Sequence, residues 1–371
     1  MRILIFLSLC FSALFAFDPN IDDRSYGLKS STSSWNTNWN KHSIPYSELL
    51  SGGPARDGIP PLDKPKFVTI KQAKTFLKDD EPLIFVSINN EKKAYALSIL
   101  IWHEIVNDSL GNEKILVTFC PLCNASIVFS RMIDGVLHDF GTSGLLRKSD
   151  LVMYDRQNES LWQQFTGEAI VGDSLGKTLK LLNSSIVSFK DIYTHHPSTM
   201  ILSQDTGYKR EYGKNPYSGY DDINSSPFLL QEDIDDRMPP MRRVATLSIN
   251  NRDKAYSYKL LKAKKVINDR FENKDLVLFY KNNVLSALDK SKIKDSKKVG
   301  SASIFESKLK GEILEFYYDK GFYDKKTKSL WNIFGLAIEG KLKGSQLKKI
   351  TFGSHFWFAW VVFKPNTVIY K

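Results

Sequence analysis

Apolar positions in this chain fall into short β-branched and aromatic runs rather than long helical stripes. Pro82–Ile88, Ile115–Phe119, Ala125–Phe129 and Ile313–Tyr318 are separated by Asn-Asn, Asp-Gly and Gly-rich turns, the pattern of strands joined by tight loops. Two stretches predict helices, Thr69–Leu77 and Ala96–Val106. The second is so continuously apolar that an extended segment fits it equally well. The pattern predicts a β-rich α+β fold with a few short helices.

The pattern also repeats. Val86-Ser-Ile-Asn-Asn-Glu-Lys-Lys-Ala-Tyr95 returns as Leu247-Ser-Ile-Asn-Asn-Arg-Asp-Lys-Ala-Tyr256, and Val106-Asn-Asp108 returns as Ile267-Asn-Asp269. Leu116–Phe119 aligns with Leu276–Phe279, Ser160-Leu-Trp162 with Ser329-Leu-Trp331, Gly167–Gly172 with Gly335–Gly340, and Pro197-Ser-Thr199 with Pro365-Asn-Thr367. The order is collinear, which implies two tandem homologous units, a duplication, over residues 66–200 and 238–371. A polar, then Gly/Pro-rich extension (17–65) precedes them. A tyrosine-bearing connector (201–237) lies between, and its aromatic content implies order.

The N-terminus refines the compartment. Met1-Arg2, an apolar run from Ile3 to about Phe15, and Ala16 before Phe17-Asp-Pro read as a secretory signal peptide over residues 1–16. Once that leader is removed no stretch approaches the roughly 18 apolar residues of a transmembrane helix. The expectation is a soluble periplasmic or secreted protein. The net charge of +11 comes mostly from lysines spread over the second half. Without interleaved stacking aromatics or a recognition module, solvated lysine faces explain it better than nucleic acid does. The expected partner is a small ligand or another periplasmic protein.

Candidate chemistry emerges from what the two copies do not share. Phe119-Cys-Pro-Leu-Cys-Asn124 faces Phe279-Tyr-Lys-Asn-Asn-Val284, His103-Glu104 faces Lys264-Lys265, and His196 faces Lys364. The tryptophans Trp162 and Trp331 occur in both copies, as core residues would. Two thiols separated by two residues in a turn can face one point. Three readings follow: a metal knuckle for zinc or copper, a thiol–disulfide pair, or a static structural disulfide. The metal reading leads, with Cys120, Cys123, His103, His196 and Glu104 as candidate ligands. A thioredoxin-like mechanism lacks its helix, because Asn124–Ser130 reads as a strand. Arg147, Asp155, Arg156, Gln163, Asp205 and Tyr208 are candidate cleft residues, although turn and strand-edge roles suit them as well. The small-residue segment Gly141–Asp150 matches neither a phosphate loop nor the Gly-x-Ser-x-Gly elbow of hydrolases.

Several of these segments together resemble an uncharacterised secreted bacterial family, domain of unknown function 3179. They are Gly53–Ile59, Ile101-Trp-His-Glu-Ile-Val-Asn-Asp108, Thr118-Phe-Cys-Pro-Leu-Cys-Asn124, Ser143–Asp155, Thr166–Gly172, Asp205-Thr-Gly-Tyr208 and Tyr220-Asp-Asp222. The resemblance covers nearly all of the chain beyond the leader. It implies membership and no particular reaction, and it makes Trp102-His-Glu104 and Cys120/Cys123 look like family features.

Overall fold

The computed structural model describes residues 18–371, so the expected leader lies outside the described residues. The architecture is β-rich with short helices, and its sheets recur in a matched order along the chain. One sheet runs Ser184–Ser188, Pro82–Ile88, Glu91–Ala96, Met200–Leu202, Phe67–Val68. Later, Gly353–Phe356, Arg243–Ile249, Arg252–Ser257 and Val368–Ile369 take the same order, and in each sheet the last-formed strand joins in parallel. A second layer holds Ile105–Leu110, Glu113–Cys120 and Ala125–Ser130, matched by Val266–Phe271, Lys274–Lys281 and Ser301–Glu306. A third holds Phe140–Arg147, Asp150–Asp155, Leu161–Gln163 and Ala169–Val171, matched by Phe316–Tyr318, Phe322–Asp324, Leu330–Trp331 and Ala337–Glu339.

The same side chains brace both halves. Asn107 bonds the backbone of Phe140 through both its amide atoms, at 2.8 and 2.9 Å, and Asn268 does the same to Phe316 at 2.7 and 2.9 Å. Tyr95 donates to Asp108 and Tyr256 to Asp269, with Lys93 and Lys254 paired to those same carboxylates. Trp162 and Trp331, both fully buried, donate their indole N–H groups to Asp155 (2.8 Å) and Asp324 (3.2 Å). Satisfying the one polar atom of a buried tryptophan makes its large apolar area available to the core.

Strand register corrects the sequence comparison by one residue. Val106 pairs with Val117 and Ile267 with Leu278, so Phe119 corresponds to Tyr280 and Cys120 to Lys281, not to Tyr280. The amide of Phe119 donates to the Glu104 carbonyl at 2.8 Å and that of Tyr280 to the Lys265 carbonyl at 2.9 Å, which fixes the shift independently. The Leu-Val-x-Phe strings at 116–119 and 276–279 are therefore one residue out of structural register.

The expected helices are shorter than their apolar runs. Over Thr69–Leu77 only Ile70–Ala73 is α-helical, started by a Thr69/Gln72 capping box. The Ala96–Val106 stretch divides: Leu97–Leu100 is helix, Glu104 takes φ +57°, and a strand begins at Ile105. Ile313–Tyr318 is likewise interrupted, into Glu312–Ile313 and Phe316–Tyr318. The 17–65 extension contributes Leu28, Trp35, Trp39, Ile44, Tyr46 and Leu49 to a core against Val152, Tyr154 and Ile170.

Candidate metal centre

Cys120 ends one strand and pairs directly with Ala125, the first residue of the next, so residues 121–124 must close a four-residue turn. The turn is pinned by the Asn124 amide on the Pro121 carbonyl at 3.1 Å, and Asn124 takes φ +49°, a conformation Asn tolerates well. Both sulfurs are thereby directed inward. Cys120 and Cys123 are 1% and 0% exposed, and they are separate thiols.

The third member comes from an adjacent hairpin. Lys148 and Ser149 both take positive φ, at +54° and +63°, making the two-residue loop that turns the chain into Asp150–Asp155. That turn places the Asp150 carboxylate beside the two thiols: one oxygen of Asp150 and both sulfurs lie within 4.8 Å of one another, all three residues buried. Its Oδ2 accepts from Gln163 Nε2 at 2.6 Å and from the Phe165 amide at 2.9 Å. Oδ1 is buried without a hydrogen-bond partner. The Cys123 Sγ also contacts the Ser149 carbonyl at 3.5 Å.

Burial governs the electrostatics. It raises both thiols, Cys123 well above its ordinary range, and the neighbouring carboxylates Asp150 and Glu104 raise Cys120 further against the hydrogen bond from Cys123. Asp150 is pushed up to about 6, chiefly by desolvation, despite the bonds from Gln163, the thiols and Phe165. Glu104 reaches about 8 through burial and the nearby Asp150, with a Tyr217 hydrogen bond acting the other way. Four acids are thus gathered in a dry place, and burial shifts each of them toward its protonated form. A bound cation reverses that balance by stabilising the deprotonated forms.

A cavity of about 270 Å³ adjoins this group. Glu104 and Leu122, one of the two residues between the cysteines, line it together with Tyr217, Tyr220 and Phe228 from the connector, and its remaining wall is mostly apolar. Gly144 forms part of that wall at φ +79°; a Cβ there would sit 2.1 Å from the Pro54 carbonyl oxygen, so only glycine lets the 17–65 extension close over the cavity. From the other side, the Cys123 carbonyl accepts the Phe356 amide at 3.0 Å, tying the turn to the second half.

The other candidate residues lie outside the Cys-Cys-Asp group. His103 lies outside the Cys-Cys-Asp group, since its ring nitrogens bond the Pro60 carbonyl and the Tyr212 hydroxyl, each at 2.7 Å. Burial lowers it to about 4, so it is neutral. His196 stacks on Phe85 (5.0 Å) and meets Phe334 edge-on (4.5 Å), lining a different cavity. Gln163 supports Asp150 and in turn receives Arg147 Nη1 at 3.2 Å, while Arg147 pairs with Glu48. Asp155 is committed to Trp162 and its own turn. Arg156 pairs with Asp63, Asp205 pairs with Lys66 at the surface, and Tyr208 packs its ring 5.5 Å from that of His103.

The sequence does not single out Asp150 as a ligand. Its counterpart in the second half, by the register that equates Met153 with Phe322, is Asp319. Asp150 is 0% exposed and Asp319 is on the surface. The signal available was Asp150's place within the Ser143–Asp155 segment that carries the family resemblance.

Comparison with known proteins supplies a family and no activity. The model of the family described as "Protein of unknown function (DUF3179)" matches residues 56–367. No curated protein and no solved structure matches the chain. This chain belongs to the DUF3179 family.

Proposed function

We propose that this DUF3179 protein is an exported metalloprotein whose first half holds one zinc or copper ion on Cys120, Cys123 and Asp150, with the adjoining cavity reserved for a small, mainly apolar ligand. The observation that carries the reading is the convergence of two sulfurs and one carboxylate oxygen within 4.8 Å at a fully buried point. Two thiolates suit a soft or borderline ion, and three protein ligands leave a position open, as in catalytic rather than structural zinc sites. When bound, the ion would act as a Lewis acid toward whatever entered the cavity. Gln163 and the Phe165 amide orient Asp150 through Oδ2, the support that ligating carboxylates require. Glu104, raised to about 8, is a protonated carboxyl at neutral pH and can donate a hydrogen bond into the cavity.

Thiol–disulfide exchange fits the same residues less well. Exchange needs an accessible thiolate, and here burial raises both thiols while no helix begins at the cysteines. In the oxidising compartment implied by the leader, an ion is also what would keep two adjacent thiols from oxidising.

The matched sheets, registers and buried pairs support an origin by duplication, with units near 66–200 and 238–371. The second unit then serves as a structural partner that lacks the site. No helix among the described residues is long and apolar enough to cross a membrane.

The test is a cobalt(II) titration of the reduced, metal-free protein under anaerobic conditions. The expected result is a sulfur-to-cobalt charge-transfer band saturating at one equivalent and displaced by zinc. A titration that develops no such band sinks the metal reading.

A further inference from the structure

His196 belongs to a second cavity, of about 510 Å³, at the seam where Ser184–Ser188 of the first half approaches Ser301–Glu306 of the second. Three lysines line it, Lys92, Lys348 and Lys349, and among the described residues no Asp or Glu does. Lys348 is already paired, with Glu306 at 3.0 Å. The other two have only backbone partners: Lys92 Nζ donates to the Asn90 carbonyl at 3.1 Å and Lys349 Nζ to the Ser184 carbonyl at 2.8 Å. The His196 Nε2 is buried without a hydrogen-bond partner. Asn183, Ser185 and Ser303 add neutral hydrogen-bonding groups, and Phe85 and Phe334 form an apolar flank against the imidazole.

Cations brought together without carboxylates repel one another, and that arrangement is stable only at a cost that a bound anion removes. Burial first, then the charges of Lys92 and His195, lowers His196 to about 4, and burial lowers Lys349 to about 7, so an anion in the cavity would favour the charged form of both. Such a pocket is far larger than a bare inorganic anion requires, and its aromatic side has no use for one.

The geometry points to a binding site for a small organic oxyanion, its phosphate or carboxylate head met by Lys92, Lys349 and His196 and its ring or chain laid against Phe85 and Phe334. This site is independent of the Cys-Cys-Asp centre. Isothermal titration calorimetry of the intact protein with phenyl phosphate and, separately, benzoate tests it. One-to-one binding of at least one probe is expected, weakening as salt is added. Preference for phenyl phosphate assigns the head as a phosphomonoester, and preference for benzoate assigns a carboxylate. Lys92→Gln removes a half-buried charge whose only bond is to its own turn, so folding should be preserved and affinity should fall about tenfold. Lys348→Gln, already neutralised by Glu306, should change affinity less. Failure of both probes to bind the folded wild type, or binding by Lys92→Gln as tight as wild type, overturns the assignment.

Discussion

The two hairpins that follow Glu104 and Lys265 begin alike and end differently. Both residues take positive φ, +57° and +63°, and both present a carbonyl to the next strand at equivalent positions, Phe119 and Tyr280. Beyond that point the first hairpin closes in four residues, Pro121–Asn124, and the second wanders from Asn282 to Gly300 before rejoining its strand. At the last paired position Cys120 is replaced by Lys281, which leaves the interior and reaches the buried Asp191 of the first half. Asp150 is buried beside sulfur, whereas Asp319 is exposed. The frame therefore does not require the cysteines, and a tight turn with inward thiols is a feature of one half alone.

The largest effects should fall on what the halves share. Trp162→Ala and Trp331→Ala each remove a fully buried indole bonded to a buried aspartate, and each should cost about 3–5 kcal/mol by urea unfolding. If one is near neutral while the other is severe, the two braces are not equivalent and the comparison fails.

A pH-dependent effect separates the site from the frame. Glu104 titrates near 8 in the folded protein and at its ordinary 4.5 when unfolded. Its folded pKa is raised, so the stability it contributes is present below the unfolded value and is lost as pH rises through the folded one. Glu104→Gln escapes that loss. In metal-free protein the variant should gain stability over wild type progressively between pH 4.5 and pH 8, by up to about 5 kcal/mol at the upper end. A difference in melting that stays flat over this interval would show that Glu104 is not held protonated by its surroundings.

The smallest effect concerns Lys281, at the strand position that matches Cys120. Lys281 is partly exposed, and Asp191 keeps bonds from Ser188 and Asn283 without it. Lys281→Met should therefore cost about 1 kcal/mol or less and leave metal binding unchanged. A loss of bound metal in this variant would mean that the second half contributes to the centre after all.

Much of the frame was legible in the sequence because strands and their turns are local patterns. Val86–Tyr95 and Leu247–Tyr256 fold as the hairpins that their Asn-Asn turns announce, with positive φ at Asn89, Asn90, Asn250 and Asn251. The position of the cysteines was legible for the same reason. Their companions were not. Asp150 reaches the sulfurs only through the pairing of separate hairpins, and His103 is withheld by Pro60 and Tyr212, from segments 43 and 109 residues away in the chain. His196 looked like a ligand by absence from the other half, yet its surroundings are lysines and phenylalanines. Composition identifies groups capable of chemistry, and only tertiary pairing decides which of them meet.

The most direct test is elemental analysis of protein purified under reducing, anaerobic conditions, wild type beside Cys120→Ser and Asp150→Asn. One zinc or copper per chain in the wild type, falling to a small fraction in Cys120→Ser and reduced in Asp150→Asn, is the expected result. Wild-type protein that is folded, reduced and free of stoichiometric metal would contradict the account at its centre.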